Sequence, residues 1–242
     1  MSQRHPAFGA QVKYTARQYS VGAAAVRLDD TVTVGARATY DDGTLRADGL
    51  LAYSNGLQAT LDAGTKFGST TLAARVRYQA PTYTGLAPLT PGLTVGVDAT
   101  TKLTPALSAS AQAEYHDSGA ASAARVQGGS VTARADYQVA PFSVGAGIKA
   151  AYGDQQGVAA VVGVGYHRSP VDVDVTHSQP LGGGTLDPTT TVSARYALSD
   201  ALSVSVRDEI NWNTGQRASL SVDNRVGNTN YTATYDLSLI HI

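Results

Sequence analysis

The sequence contains no cysteine, and among its 242 residues only three phenylalanines, one tryptophan and one methionine. Without cysteine there can be no disulfide, no thiolate metal site and no thiol nucleophile. The absence fits an oxidising or envelope compartment. The shortage of large apolar side chains argues against an ordinary soluble core, which would be filled by Leu, Ile and Phe. No run of about 18 apolar residues occurs, so no transmembrane helix is encoded. Charge is also nearly absent in net terms, at −1 with an isoelectric point of about 6.5, which gives no electrostatic reason to expect nucleic acid as a partner. Met1 to Pro6 lack an apolar core of the kind a signal peptide needs.

What is present is Ala, Val, 25 glycines and 13 tyrosines, with 43% hydrophobic residues and a mean hydropathy of −0.12. That average looks soluble. A barrel strand, however, needs only about 10 tilted residues and alternates its two faces, so average hydropathy does not detect it.

One period, of two residues, runs from Phe8 onward, and helical periodicity is hard to find. In Leu107-Ser-Ala-Ser-Ala-Gln-Ala-Glu-Tyr115, one face carries Leu107, Ala109, Ala111, Ala113 and Tyr115. The other carries Ser108, Ser110, Gln112 and Glu114. Val131 to Gln138 and Thr71 to Gln79 repeat the design. Charges keep to the polar parity: Arg46, Asp48, Asp62, Arg75, Arg77, Asp98, Lys102, Glu114, Arg134, Asp136, Lys149, Asp172, Asp174, Arg195, Arg207 and Glu209. Asp208, between Val206 and Ile210, is the exception. The pattern predicts about sixteen strands, at 8–17, 21–28, 31–40, 44–53, 57–65, 70–79, 93–103, 106–116, 123–139, 142–152, 157–168, 171–178, 189–198, 202–213, 217–226 and 229–236. The segment 123–139 is too long for the pattern, and Gly128-Gly129 marks either a bulge or the true end of a loop.

Alternation separates strand from helix but not a barrel from a sandwich, whose outer face is also wet. The aromatics separate them. Tyr40, Tyr53, Tyr78, Tyr115, Tyr137, Tyr152, Tyr166, Tyr196 and Trp212 sit on the apolar parity at strand ends, while strand middles carry small aliphatics. A membrane girdle requires that placement. A sandwich core would put its largest side chains mid-strand, where burial is deepest.

Tight turns, such as Leu103-Thr-Pro-Ala-Leu107 and Leu198-Ser-Asp-Ala-Leu202, alternate with looser ones between residues 103 and 216, as short periplasmic turns and longer outer loops would. Leu89-Thr-Pro-Gly-Leu93 breaks the rule, because two same-side turns cannot flank one strand. Either the loop 80–92 hides a short strand, or the motif does not report the side.

At these turns the chain resembles bacterial outer-membrane β-barrel proteins. Tyr196-Ala-Leu-Ser-Asp-Ala-Leu-Ser-Val-Ser-Val and Leu103-Thr-Pro-Ala-Leu-Ser-Ala-Ser-Ala-Gln-Ala-Glu-Tyr115 look like their hairpins, and they match each other as an internal repeat. The resemblance covers nearly all of 8–236 but rests on a generic hairpin signature. It implies an all-β, antiparallel up-and-down transmembrane β-barrel of about 14–16 strands, in the outer membrane, with a lipid-facing band. The expected domain is therefore 8–236, behind a tail at 1–7. The last six residues, Leu237 to Ile242, read as the translation of a common transposase sequencing adapter, which places the end of native sequence near Asp236 and predicts a truncated parent.

Chemistry is sparse. Asp172 and Asp174 share a face, but His177 has the opposite parity, so no local three-ligand metal set is expected. His116 with Asp117 and Ser118, and His167 with Ser169, are adjacent without a strained nucleophile turn. Gly182-Gly183-Gly184 lacks the Lys and helix of a phosphate loop and reads as a flexible hairpin loop. Arg75, Arg77 and Arg134 either steer anions through a pore or pair with Asp62, Asp98 and Asp136. The expected lumen-facing charges are these arginines with Asp98, Glu114, Asp136, Lys149, Asp172, Asp174, Arg195 and Arg207. The sequence thus points away from an enzyme and towards a passive channel or the membrane anchor of a larger surface protein. Its partners would be outer-membrane lipid and, for an anchor, other envelope or surface proteins; no cofactor is expected. A soluble all-β adhesin or surface-layer module is the alternative.

Overall fold

A computed structural model describes residues 8–28, 31–86, 88–119, 125–226 and 229–239. The expected tail at 1–7 lies outside these residues, as do the last three residues of the expected adapter segment. Sixteen strands follow one another: β1 Phe8–Thr15, β2 Tyr19–Leu28, β3 Thr31–Asp41, β4 Leu45–Tyr53, β5 Leu57–Phe67, β6 Thr70–Gln79, β7 Gly92–Lys102 and β8 Leu107–Asp117. Then come β9 Gln127–Val139, β10 Phe142–Gly153, β11 Gly157–Arg168, β12 Val171–Pro180, β13 Thr189–Ala197, β14 Leu202–Asn211, β15 Gly215–Val226 and β16 Thr229–Leu239. They form one sheet in sequence order, each strand antiparallel to its neighbours wherever register is defined. The fold is all-β and up-and-down. No helix of the described residues is long and apolar enough to cross a membrane, which says nothing of strands.

Period-two sequence gives this fold because successive side chains in a strand point to opposite faces. A one-residue slip would turn every side chain over, so the register is well specified. β9 begins at Gln127, which makes Gly128-Gly129 the place where the loop ends.

By contact density the chain falls into two compact units, Met1–Thr101 with Ala111–Val131, and Lys102–Ser110 with Thr132–Ile242. Both show the same inversion of burial. In the second unit, β10 exposes Phe142, Val144, Ile148 and Tyr152 while Ser143, Gly145, Gly147 and Lys149 are half-buried. On β11, Val162 and Val164 are exposed while Ala159, Val161, Gly163 and Gly165 are buried. In the first unit, β3 exposes Val32 and Val34 and half-buries Thr31, Thr33 and Gly35. On these strands the apolar parity is the exposed one; on β12 Val171, Val173 and Val175 are half-buried and Asp172 and Asp174 are exposed.

Connections differ by strand parity. Those after odd-numbered strands (16–18, 42–44, 68–69, 103–106, 140–141, 169–170 and 198–201) never exceed four residues, whereas the longest (80–91, 118–126 and 181–188) all follow even-numbered strands. Two of the short turns are built alike. Leu103 N–H donates to the Leu107 carbonyl at 2.9 Å, and Thr104 Oγ1 accepts from the amides of Ala106 and Leu107 at 3.2 and 2.9 Å. Leu198 N–H donates to Leu202 O at 2.9 Å, and Ser199 Oγ accepts from Ala201 and Leu202 at 3.2 and 3.1 Å. The internal repeat is therefore one hydroxyl-stapled turn used twice, the side chain replacing a backbone partner.

The segment Leu89 to Leu93 forms no such turn. Among the described residues of 80–91 no strand is hidden, so the motif does not report the side. Its difference is one residue: Gly92 stands where the two turns have Ala, with φ at 118° and a Cβ position that would run into the Asp117 carbonyl.

Glycines on the polar parity are constrained in the same way. A Cβ at Gly147 would collide with the Ala133 carbonyl, whereas one at Gly182 meets nothing within 4 Å. Gly147→Val should lower stability by about 1–3 kcal/mol through overpacking, and Gly182→Val by less than about 0.5 kcal/mol. Urea unfolding of the refolded variants, followed by tryptophan fluorescence, measures the difference.

Candidate functional site

The polar parity carries most of the charge, and four of its arginines are paired with carboxylates. In the first unit Arg75 Nη2 donates to Glu114 Oε2 at 2.8 Å and lies 4.0 Å from Asp98; Arg77 lies 3.7 Å from Asp62, and Arg37 makes a two-point hydrogen bond with Asp48. In the second unit Arg134 lies 2.7 Å from Asp136. Of the two sequence readings for these arginines, the structure realises pairing with Asp62, Asp98 and Asp136, and it adds Glu114. Such half-exposed pairs are individually weak, at about 0–1 kcal/mol. Their consequence is neutralisation and geometry.

The geometry depends on glycine. Arg75 reaches Glu114 by crossing β7 at Gly96, its register partner, where a Cβ would stand 2.6 Å from Arg75 Nε. Arg134 crosses β10 and β11 over the paired Gly145 and Gly163, and its Nη1 comes within 3.5 Å of Thr176 Oγ1. Long cations thus lie flat against the sheet. Lys149 sits on the same parity of β10 opposite Ala159; Arg195 donates to Ser203 Oγ at 3.1 and 3.3 Å; Arg207 faces Ser193 and Ser219. Asp172, Arg195 and Arg207 share a cavity of about 300 Å³.

The connection 80–91 folds onto the polar parity of the first unit. Tyr83 is 6% exposed and donates to the Leu86 carbonyl at 2.9 Å. With Leu86 it lines a cavity of about 600 Å³ whose other walls include Lys13, Thr33, Gly35, Arg37 and Gln58. Two buried glutamines anchor the segment. Gln79 Nε2 donates to Leu89 O at 2.7 Å and its Oε1 accepts from Leu89 N at 2.5 Å, while Gln58 Nε2 donates to that same oxygen at 3.2 Å. The Gln79 amide stands in for a strand residue, closing a two-point ladder step with side-chain atoms. Thr84 N–H donates to Ser54 O, and Asn55 to Thr84 Oγ1, at 3.1 and 2.9 Å.

The tyrosines lie at strand ends. In the first unit Tyr14, Tyr19 and Tyr40 cluster beside the connections after odd-numbered strands, with Tyr14 and Tyr19 ring centroids 6.2 Å apart; Tyr53, Tyr78 and Tyr115 lie at the opposite strand ends. In the second unit Tyr137, Phe142, Tyr166 and Tyr196 lie at one set of ends and Tyr152 at the other, with Trp212 one residue beyond β14. Phe142 and Tyr166 pack edge-on at 5.4 Å.

No protein-family model and no curated protein matches the chain. Its function must be read from this geometry.

In the second unit the apolar parity carries polar groups that bond one another. Asp208, the exception to the charge rule, accepts from Gln216 Nε2 at 2.7 Å, and its other oxygen is buried without a partner among the described residues. Nearby His177 and Trp212 both bond Thr190 Oγ1 at 2.9 Å. His177 thus faces away from Asp172 and Asp174, as its parity required. Sequence reading missed His167: the two-residue turn 169–170 sets it opposite Asp172. Counting register across that turn would have found the pair. Ser169 is not brought to His167; Ser143 is, at 3.0 Å. Of the other rim candidates, Asp117 bonds Arg125 and Ser118 Oγ accepts from Val126 N–H.

Gln79→Leu should release the 80–91 segment, because it strands a half-buried amide and carbonyl at Leu89, a loss of about 1 kcal/mol. Faster proteolysis within 80–91, with strand content unchanged by circular dichroism, is the expected reading. Burial also raises the Tyr83 phenol above its ordinary value of 10.0, so docking favours the neutral form. The stabilisation is present below about pH 10 and is lost as pH rises through the raised value. Wild-type protease sensitivity in 80–91 should rise above pH 10, and Tyr83→Phe should abolish that alkaline step.

Proposed function

We propose that the chain is the wall of a bacterial outer-membrane β-barrel, with its apolar parity in lipid and its polar parity lining a water-filled interior, acting as a passive channel or as the anchor of a larger surface protein. The observation that carries this reading is the inverted burial on β10 and β11: Val144, Ile148, Val162 and Val164 are 52%, 55%, 51% and 57% exposed, while the glycines and Lys149 on the alternate positions are buried or half-buried. In water that arrangement leaves a large apolar surface unpaid for. In hydrocarbon it is the stable one, provided the sheet closes so that every backbone group is paired. From Phe142 to Tyr152 the strand rises about 33 Å, and a tilt of about 40° turns this into a band of about 25 Å between aromatic ends.

Paired charges of both signs support weak ion selectivity, and the cavity beside Tyr83 supports 80–91 as the constriction. The soluble adhesin reading has no comparable support. Refolding into planar bilayers tests the proposal: steady, weakly voltage-dependent conductance is expected of the intact barrel, rising when 82–90 are deleted. A folded, inserted barrel with no conductance in either form would leave anchoring as its role. A chain that stays monomeric in buffer without detergent would overturn the membrane reading altogether.

The two faces can be tested separately on β8. Ala111→Arg should cost about 2–4 kcal/mol in folding into bilayers, and Gln112→Arg close to nothing. Equal penalties would reverse or abolish the face assignment.

A further inference from the structure

The most organised side-chain constellation outside the paired arginines lies on the polar parity of β10, β11 and β12. His167 Nδ1 is 3.1 Å from Asp172 Oδ2; His167 Nε2 is 3.0 Å from Ser143 Oγ and 3.6 Å from Asp174 Oδ1. Backbone register sets all four: His167 pairs Asp172, while Gly165 pairs both Ser143 and Asp174. Gly165 is required, since a Cβ there would stand 2.5 Å from His167 Nε2 and 2.7 Å from Asp174 Oδ1, and would also strike Ser143 Oγ.

Two chemistries use a serine hydroxyl, an imidazole and a carboxylate in this order. One is acyl transfer, with Ser143 as nucleophile. It needs donors aimed at a developing oxyanion. Here the group beside Nε2 is the Asp174 carboxylate, which would repel an oxyanion, and the Ser143 and Gly165 backbones are committed to strand pairing. The other is cation binding, for which a carboxylate in that place is an asset.

We propose that His167 Nε2 and Asp174 form a binding site for a zinc-like divalent transition ion, with Ser143 Oγ beside it and Asp172 holding the imidazole by its Nδ1–H. Separations of 3.0 and 3.6 Å among Nε2, the hydroxyl and the carboxylate bracket what ligands about 2.0–2.2 Å from a tetrahedral zinc require. A carboxylate on the far nitrogen fixes the tautomer that leaves Nε2 free to ligate. One donor atom each of His167, Asp172 and Asp174 lies within 4.8 Å of the others, so ligand, ligand and imidazole-holding carboxylate form one compact group. Two cations of this part of the sheet are engaged with other side chains, Arg134 with Asp136 and Arg195 with Ser203. Water would complete the coordination, so the ion would be exchangeable and held on the polar face.

The site is independent of the membrane reading, because the ligands are set by strand register alone. The test titrates refolded full-length chain with Zn2+ by calorimetry, in detergent if it needs detergent and in buffer if it does not. Wild type should bind one ion per chain. His167→Ala and Asp174→Asn should weaken binding at least tenfold, Asp172→Asn about 10–100-fold, and Gly165→Ala at least tenfold by filling the cradle. His177→Ala, on the opposite parity, should change nothing. Absence of stoichiometric binding by folded wild type would overturn the proposal, as would equal loss in His177→Ala. Covalent labelling of Ser143 by a fluorophosphonate would also overturn it, in favour of acyl transfer.

Discussion

Everything in this molecule depends on the antiparallel backbone ladder, because it is the ladder that makes parity meaningful. Once Phe142 pairs Tyr166 and Arg168 pairs Val171, the face of every residue from 142 to 180 is decided. Short turns after odd-numbered strands lock that register, and hydroxyl staples at Thr104 and Ser199 show how little sequence is needed to do so. Side-chain packing contributes less than in a soluble domain. The buried apolar residues named among the described positions are Ala52, Tyr83, Ala159 and Val161, which are too few and mostly too small to organise a core. Stability must then come from backbone pairing and from whatever covers the apolar parity.

Glycine takes the part that large aliphatics play elsewhere. Where a soluble sheet would fill its packed face with Leu and Ile, this one leaves its polar parity empty at Gly96, Gly145 and Gly163 so that Arg75 and Arg134 can lie along the strands. Arg75 is thereby paired with Glu114 two strands away, and Arg134, paired with Asp136 on its own strand, extends as far as Thr176. A polar face built this way keeps space in front of it, as the cavities of about 600 and 300 Å³ show. The 80–91 segment occupies part of that space. It is held through Gln79, whose side-chain amide is satisfied on both sides by backbone.

Period-two alternation made the strands, their number and their faces legible, since a pattern repeated sixteen times averages over local ambiguity. Strand ends moved by only a few residues: β5 runs on to Phe67, and β12 to Pro180. The Leu89 to Leu93 segment misled because the motif looked like a turn while a single Gly in place of Ala changed its backbone. The ion pairs were legible in part. Arg77 with Asp62 is a diagonal neighbour on adjacent strands, readable from register, whereas Arg75 with Glu114 skips a strand and depends on Gly96. His167 with Asp172 is readable too, but only by counting register across a two-residue turn, since parity along the strand that holds His177 does not reveal it.

The polar cluster on the apolar parity marks the limit of a uniform two-face description. His177, Thr190, Asp208, Gln216 and Trp212 belong by parity to the exposed apolar face, yet they bond one another in two small groups. They gather towards the strand ends that lead into 181–188 and 212–214, which in the proposed membrane setting is the level where a bilayer would give way to water. Depth along the strand therefore matters as much as parity. In that setting a carboxylate such as Asp208, costly among hydrocarbon chains, would be tolerable where headgroups and water could reach it, and Trp212, with its indole N–H bonded to Thr190, would suit that same level. Parity decides which side a residue faces; its distance from the strand end decides what it can be.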